Sequence, residues 1–263
     1  MNGKVKAYYN EIDEKEAVWL RGLIAAGHLP DGDVDTRSIE DVTPDDVRGY
    51  TQCHFFAGIG LWPLALRQAG WPDDRPIWSG SCPCQPFSQA GKGAGFDDER
   101  HLWPAWHWLI EKCAPPVVIG EQVASKDADR WIDLLQSDME ALDYAVGATP
   151  FAAAGVGAPQ IRDRLYWLAD RQSGEERRTW TDRASKTGPS GGHHPYDTVA
   201  GWDNARWLYC RDGRTRPIEP GLLPLAPRRP GDLVELRAYG NGLCVPAARA
   251  FVEAYLNGIG STA

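Results

Sequence analysis

Cys84 sits between two prolines in PCQPFS, residues 83–88, shortly after the apolar stretch PIWSG at 76–80. A thiol in a turn at a strand end projects into a cleft and is a candidate nucleophile, although a buried structural thiol uses the same residue type. Glu121 follows another apolar stretch, PVVIG at 116–120, and Gln160, Arg162 and Arg164 lie in GAPQIRDR immediately ahead of LYWLA at 165–169. If those stretches are strands of one sheet, a thiol, a carboxyl group and two guanidinium groups converge on one edge. That set can supply a nucleophile, a proton donor or acceptor, and cations that offset developing charge. FAGIG at 56–60 adds a glycine turn between an apolar run and a helical pattern. Such a turn brings backbone close to a ligand and aims a helix N-terminus at its polar end, while a plain tight turn has the same glycines.

The flanking patterns state which elements must carry these residues. Residues 14–28 repeat Val18, Leu20, Leu23, Ile24 and Ala25 at helical spacing with Gly27 as a stop, and VKAYYNEI before them reads as a strand. Strands are expected at 53–57, 76–80, 116–120, 144–149 and 165–169, and helices at 61–69, 104–113, 128–142 and 245–256. The last helix would turn Ala250, Phe251, Ala254 and Tyr255 to one side. Strands alternating with helices imply an α/β fold with a mostly parallel sheet and helices on both faces, which binds ligands outside the carboxyl ends of its strands. From Arg171 to Ala238 the chain is rich in Gly, Pro, Ser and Arg with little periodicity and reads as a loop-rich insertion.

At these residues the sequence resembles the cytosine-C5 DNA methyltransferases. FAGIG is similar to that family's cofactor loop, Pro83-Cys84-Gln85 to its nucleophile motif, Glu121-Gln122-Val123 to its Glu-Asn-Val motif, Gln160-Ile161-Arg162-Asp163-Arg164 to its Gln-x-Arg-x-Arg motif, and Gly240-Asn241-Gly242 to its closing Gly-Asn motif. The resemblance implies a Rossmann-like S-adenosylmethionine-dependent methyltransferase fold acting on a cytosine flipped out of double-stranded DNA. Cys84 would add to C6 of the ring, Glu121 would bond N3 as an acid, Arg164 would hold the O2 side, and Arg162 would order the loop or the thiolate. Phe56, Ala57, Gly58, Ile59, Gly60, Pro83 and Asn241 would contact the cofactor, and Gln85, Ser88, Gln122 and Gln160 the substrate. Gln122 departs from the family's Asn, and its extra methylene bears on the Pro83-Cys84 loop or on cofactor choice. The same chemistry on tRNA or with a modified cofactor, and an inactive DNA-binding relative, remain as alternatives.

The spacing is unusual for that family. Only 24 positions separate Gly60 from Cys84, too few for the two strand-helix units that normally intervene. Tyr9-Asn10-Glu11-Ile12-Asp13, a helix, and then Gly32-Asp33-Val34 resemble the missing units. A circular permutation would therefore place Glu11 on the ribose hydroxyls, Ile12 against adenine, and Asp33 and Val34 near its amino group. Otherwise residues 1–50 are an unrelated extension and Asp73 or Asp74 takes the ribose. Residues 1–170 and 239–263 would form the catalytic domain, with 171–238 as a short target-recognition insertion.

Composition narrows the partners. The 263 residues carry a formal charge of −8, which argues against a protein whose whole surface grips nucleic acid. Residues 171–238 nevertheless hold 12 Lys and Arg against 9 Asp and Glu, so that segment is +3 and the remainder −11. Arg177, Arg178, Arg183, Arg211, Arg214, Arg216, Arg228 and Arg229 of that segment, with Trp202 and Trp207 near them, suit phosphates or base edges, although an ordinary solvated loop has the same composition. The six cysteines form no CxxC pair, so no metal is expected. No apolar run approaches the roughly 20 residues of a membrane span, and the N-terminus lacks a signal-peptide core, so a cytoplasmic monomer is the expectation. Trp103, Trp106, Trp108, Trp167 and Trp207 are expected as core or interface anchors.

Overall fold

The computed structural model describes residues 6–83, 102–124, 126–158, 161–171, 206–209, 215–218 and 242–260. In chain order the strands are β1 Ala7–Asn10, β2 Gly32–Asp35, β3 Gln52–Phe55, β4 Ile77–Gly80, β5 Val117–Val123, β6 Ala145–Ala152, β7 Asp163–Asp170, β8 Arg206–Tyr209 and β9 Thr215–Ile218. The helices are α1 Glu14–Ala25, α2 Pro44–Val47, α3 Leu61–Gln68, α4 Trp103–Cys113, α5 Lys126–Ala141 and α6 Val245–Gly260. Local chemistry sets several ends. Asp13 caps α1 by accepting from the backbone N–H groups of Lys15 and Glu16, and Pro104 sits in the first turn of α4, where a missing N–H costs nothing.

Seven strands form one sheet in the order β2-β1-β3-β4-β5-β7-β6. The pairs β1·β2, β1·β3, β3·β4 and β4·β5 are parallel, and β7 runs antiparallel to both β5 and β6. The carboxyl ends of β1 to β5 therefore share one edge with the amino end of β7. The loop-rich expectation for 171–238 misses a hairpin, β8 with β9, flanking Asp212-Gly213. That dipeptide between two β-rich stretches was its available signal.

Alternation of side chains across the sheet builds two cores. Tyr9, Ile77, Ile119 and Leu168 face α1, α3 and α6, while Tyr8, Trp78, Val118 and Trp167 face α4 and α5. Trp103, Trp106, Trp131 and Trp167 interlock in the second core with centroids 5.8 to 6.3 Å apart. Trp108 departs from the expectation: it is 42% exposed on the outer face of α4, and the side chain of Trp207 lies outside the described residues. In α6 the buried stripe is Val245, Ala248, Val252 and Tyr255, rotated from the expected one so that Ala254 is exposed. Docking against α3, and the stacking of Tyr255 on Trp71, decide that rotation. Among the described residues no helix is long and apolar enough to cross a membrane.

His54 of β3 is a buried group inside this frame. Its Nδ1 lies 2.7 Å from Ser79 Oγ on β4, and burial pushes its pKa from 6.5 down to about 3. The folded value is depressed, so the neutral ring's contribution is fully present above the unfolded value of 6.5 and is lost as pH falls from there toward 3. Melting temperature should drop between about pH 7 and pH 4.5, and His54→Gln should flatten part of that slope. Equal slopes in both proteins would exclude His54 as the cause.

Candidate active site

Two groups of residues meet at the carboxyl edge of the sheet. The first surrounds the turn after β3. Gly58 and Gly60 take left-handed backbone with φ of 54° and 79°, and a Cβ on Gly60 would stand 2.3 Å from Leu29 Cδ1, so glycine is required there. Phe56 also has positive φ, 50°. A non-glycine residue in that region stores strain, a frequent feature of ligand-contacting turns. Ala57 N–H donates to Asn10 O at 2.9 Å, tying the turn to the end of β1. Glu11, also at that end, accepts from Gly58 N–H at 2.6 Å with one oxygen and from Asp13 N–H at 2.8 Å with the other.

Glu11 is buried, and that burial pushes its pKa up against the pull of the two backbone donors. Glu16, on the first turn of α1, is raised to about 7 by burial and by repulsion from Glu11 and Asp13. Carboxyl groups thus line the turn, while Ile12 beside Glu11 is 64% exposed and offers an apolar face. This arrangement fits a cationic nucleoside cofactor: each Glu11 oxygen retains acceptor capacity for hydroxyl groups, and Gly58 adds no side chain over the turn.

Other expected cofactor residues stand differently. Ile59 is 2% exposed and packs into the first core, so only its backbone is available to a ligand. Asp33 pairs with Tyr8 two residues short of the strand end, and its carboxylate accepts from Tyr50 Oη at 2.8 Å and Lys6 Nζ at 3.1 Å. Asp35 occupies the strand end instead. Val34 is half-buried against the first core. Asp73, the other ribose candidate, forms an ion pair with Arg67 at 2.7 Å.

The second group lies between β4, β5 and β7. Glu121 is buried near the end of β5, and Arg164 enters from the start of β7, opposite Val123. Arg164 Nε lies 2.6 Å from Glu121 Oε1, with the two side chains 18% and 11% exposed. Burial holds the Glu121 pKa above the ordinary carboxyl range, opposed by Arg164, Arg162 and a hydrogen bond to Ser81. Arg162 has φ of 39° and donates from Nη2 to Gly242 O, joining this group to the segment ahead of α6. Burial, the positive charge of Arg164 and the opposing negative charge of Glu121 together leave the Arg162 pKa lowered.

The sequence motifs do not single out Ser81. It accepts from Trp62 Nε1 at 3.1 Å and reaches Glu121. Its signal was a polar residue directly after a strand and ahead of Pro83-Cys84.

Gln122, expected among the substrate contacts, is 2% exposed. Its Nε2 donates to Cys82 O at 3.3 Å and its Oε1 accepts from Val123 N–H at 3.0 Å. It therefore braces the start of the loop that leads through exposed Pro83. Cys84, Gln85, Ser88, Gln160 and Asn241 lie outside the described residues.

Residues 71–196 match the family model described as C-5 cytosine-specific DNA methylase, a stretch that holds Cys84, Glu121 and Arg164. The chain is 38% identical over 105 residues to type II methyltransferase M1.ScrFI of Lactococcus lactis subsp. cremoris, covering 38% of this chain and 27% of that protein. It is 34% identical over 102 residues to type II methyltransferase M.HhaI of Haemophilus parahaemolyticus, covering 37% and 31%. The chain thus spans about a third or less of these relatives' length. The crystal structure of the S. pombe Dnmt2 methyltransferase overlays with a TM-score of 0.40 at 13% identity, covering 79% of this chain and 65% of that one.

Proposed function

We propose, from a chain that shares residues 71–196 with the C-5 cytosine-specific DNA methylases, that it methylates C5 of cytosine in double-stranded DNA with S-adenosylmethionine as methyl donor. The observation that carries the reading is the buried Glu121–Arg164 pair beside the loop entering Pro83-Cys84. C5 of cytosine is a weak nucleophile. Addition of the Cys84 thiolate to C6 places electron density on the ring, and a proton from Glu121 at N3 neutralises it. A carboxyl group whose pKa is raised by burial is suited to deliver that proton near neutral pH, and Arg164 stabilises both the carboxylate left behind and the O2 side of the ring. When bound, S-adenosylmethionine supplies an electrophilic methyl group to C5. Loss of the C5 proton to a base then lets the Cys84 sulfur leave C6.

Glu11, Ile12 and the Gly58 turn would hold the cofactor, with Glu11 on the ribose hydroxyls. In this reading the second and third strand units of the methyltransferase sheet precede the first in the chain. The interior position of β3, between β1 and β4, and the outboard placing of β1 and β2 support it. Residues 1–170 and 239–263 then make one catalytic unit, and 171–238 form a short recognition insertion whose positive charge faces DNA.

Duplex DNA carrying 5-fluorocytosine tests the chemistry, because the fluorine cannot leave as a proton does and traps the Cys84 adduct. A covalent protein–DNA complex is expected with the native chain and none with Cys84→Ser; no complex with the native chain would exclude the mechanism. Incubation with labelled cofactor and either DNA or RNA separates the substrate classes, and bisulfite sequencing of DNA from expressing cells reads the target. Gln122→Ala is expected to lower kcat about tenfold, by loosening the Cys82 end of the loop, with cofactor Kd unchanged. A changed Kd with unchanged kcat would instead assign Gln122 to the cofactor.

A further inference from the structure

Ile161 is 70% exposed, more than Ile12, Val18 or Trp108, the other exposed large hydrophobic residues among those described. Isolated apolar residues on a surface need no explanation, but the backbone here is firmly held. Ala154 N–H donates to Ile161 O at 3.3 Å and Ala153 N–H to Arg162 O at 3.2 Å. The next residue, Arg162, takes left-handed backbone and donates from its guanidinium to Gly242 O. Three residues after Ile161, Arg164 pairs with buried Glu121. A β-branched side chain, stiff at χ1, is therefore fixed outside the core, three residues ahead of the arginine that pairs with Glu121. Val18 projects from α1, and Ile12 belongs to the cofactor side.

Resting on the proposed function, we propose that Ile161 is an apolar wedge for the DNA, entering the base stack beside the target cytosine and supporting the gap when that base leaves the helix. A cytosine moved into a pocket leaves neighbouring bases unstacked, and proteins that distort duplexes fill such steps with Ile, Leu, Met or Phe side chains. A short apolar group matches a stacking gap and cannot donate to phosphate, so its contribution appears only when a paired, stacked base must be extracted. Ile161 is a positioning residue in this account, with no contact to the reacting atoms.

The test uses the full chain and duplexes bearing the site that bisulfite sequencing identifies, with the target cytosine opposite guanine or opposite an abasic gap. Ile161→Ala is expected to lower kcat/KM about tenfold on the paired duplex and to stay within about twofold of the native chain on the gapped one, where extraction is already eased. Ile161→Met should keep native rates on both, and cofactor Kd should be the same in all three proteins. Equal losses on both duplexes, or no loss on the paired one, would overturn the wedge. A native chain that neither methylates DNA nor traps 5-fluorocytosine overturns the proposed function, and the wedge with it.

Discussion

Glu121→Gln is expected to reduce methyl transfer by about a thousandfold while leaving cofactor affinity within about twofold. The amide keeps the size of the carboxyl group and can still accept from Arg164, but it has no proton to give at N3. Arg164 would lose the carboxyl oxygen 2.6 Å from its Nε. Glu121→Ala goes further, since a mostly buried guanidinium left without its partner costs about 3–5 kcal/mol. The two variants separate chemistry from stability: Gln should lower kcat with a small shift in Tm, and Ala should lower both. Because burial raises the Glu121 pKa, the acid form persists above the usual carboxyl range, and kcat of the native chain should decline as pH rises through that raised value. A Gln variant that retains native kcat would remove Glu121 from the proton step.

Glu11→Ala is expected to weaken S-adenosylmethionine binding by about 100-fold or more, measured by calorimetry. The variant loses two hydrogen bonds from ribose hydroxyls to a charged acceptor. The side chain also accepts from Gly58 and Asp13, so removing it leaves two backbone N–H groups without that partner at about 1–3 kcal/mol each where water cannot replace it. Glu11→Gln, which retains acceptor capacity, should bind the cofactor more weakly than the native chain and more tightly than Ala.

The pH dependence has the opposite sign to that of Glu121. Burial raises the Glu11 pKa as well, but here the ionised form does the binding, so affinity should fall as pH drops through the raised value. The two buried carboxyl groups thus give pH dependences of opposite sign, Glu11 in cofactor affinity and Glu121 in kcat. Unchanged cofactor affinity in Glu11→Ala would sink the permuted reading and return residues 1–50 to the status of an extension.

Much of the edge was legible because parallel strands end together. Once CHFFA, PIWSG and PVVIG are read as strands from their short apolar runs, the polar residues that follow them must share an edge, and Ser81 and Glu121 fall there without further information. Helix caps and the glycine turn are equally local: Asp13 and Gly60 act on atoms within a few residues or on their own φ. Less legible were the functions of side chains within that edge. Gln122 follows Glu121 directly, yet it is buried and donates to Cys82 O. Ile59 is read with its neighbours as one loop, yet it packs into the core.

By itself the amino-acid sequence determined which chemistry-bearing residues end which strands, the helical and extended segments between them, and the concentration of positive charge in 171–238. Tertiary structure decided the contacts between distant parts of the chain. Glu11 meets Gly58 across 47 positions, Arg164 meets Glu121, and Arg162 meets Gly242 across 80. Periodicity records which face of an element is apolar; it does not record which neighbour pairs with that element. Strand order, the antiparallel entry of β7 and the rotation of α6 emerge only when all the elements bury their apolar faces at once. Those choices turned candidate residues into a carboxylate on a glycine turn and a buried acid–guanidinium pair.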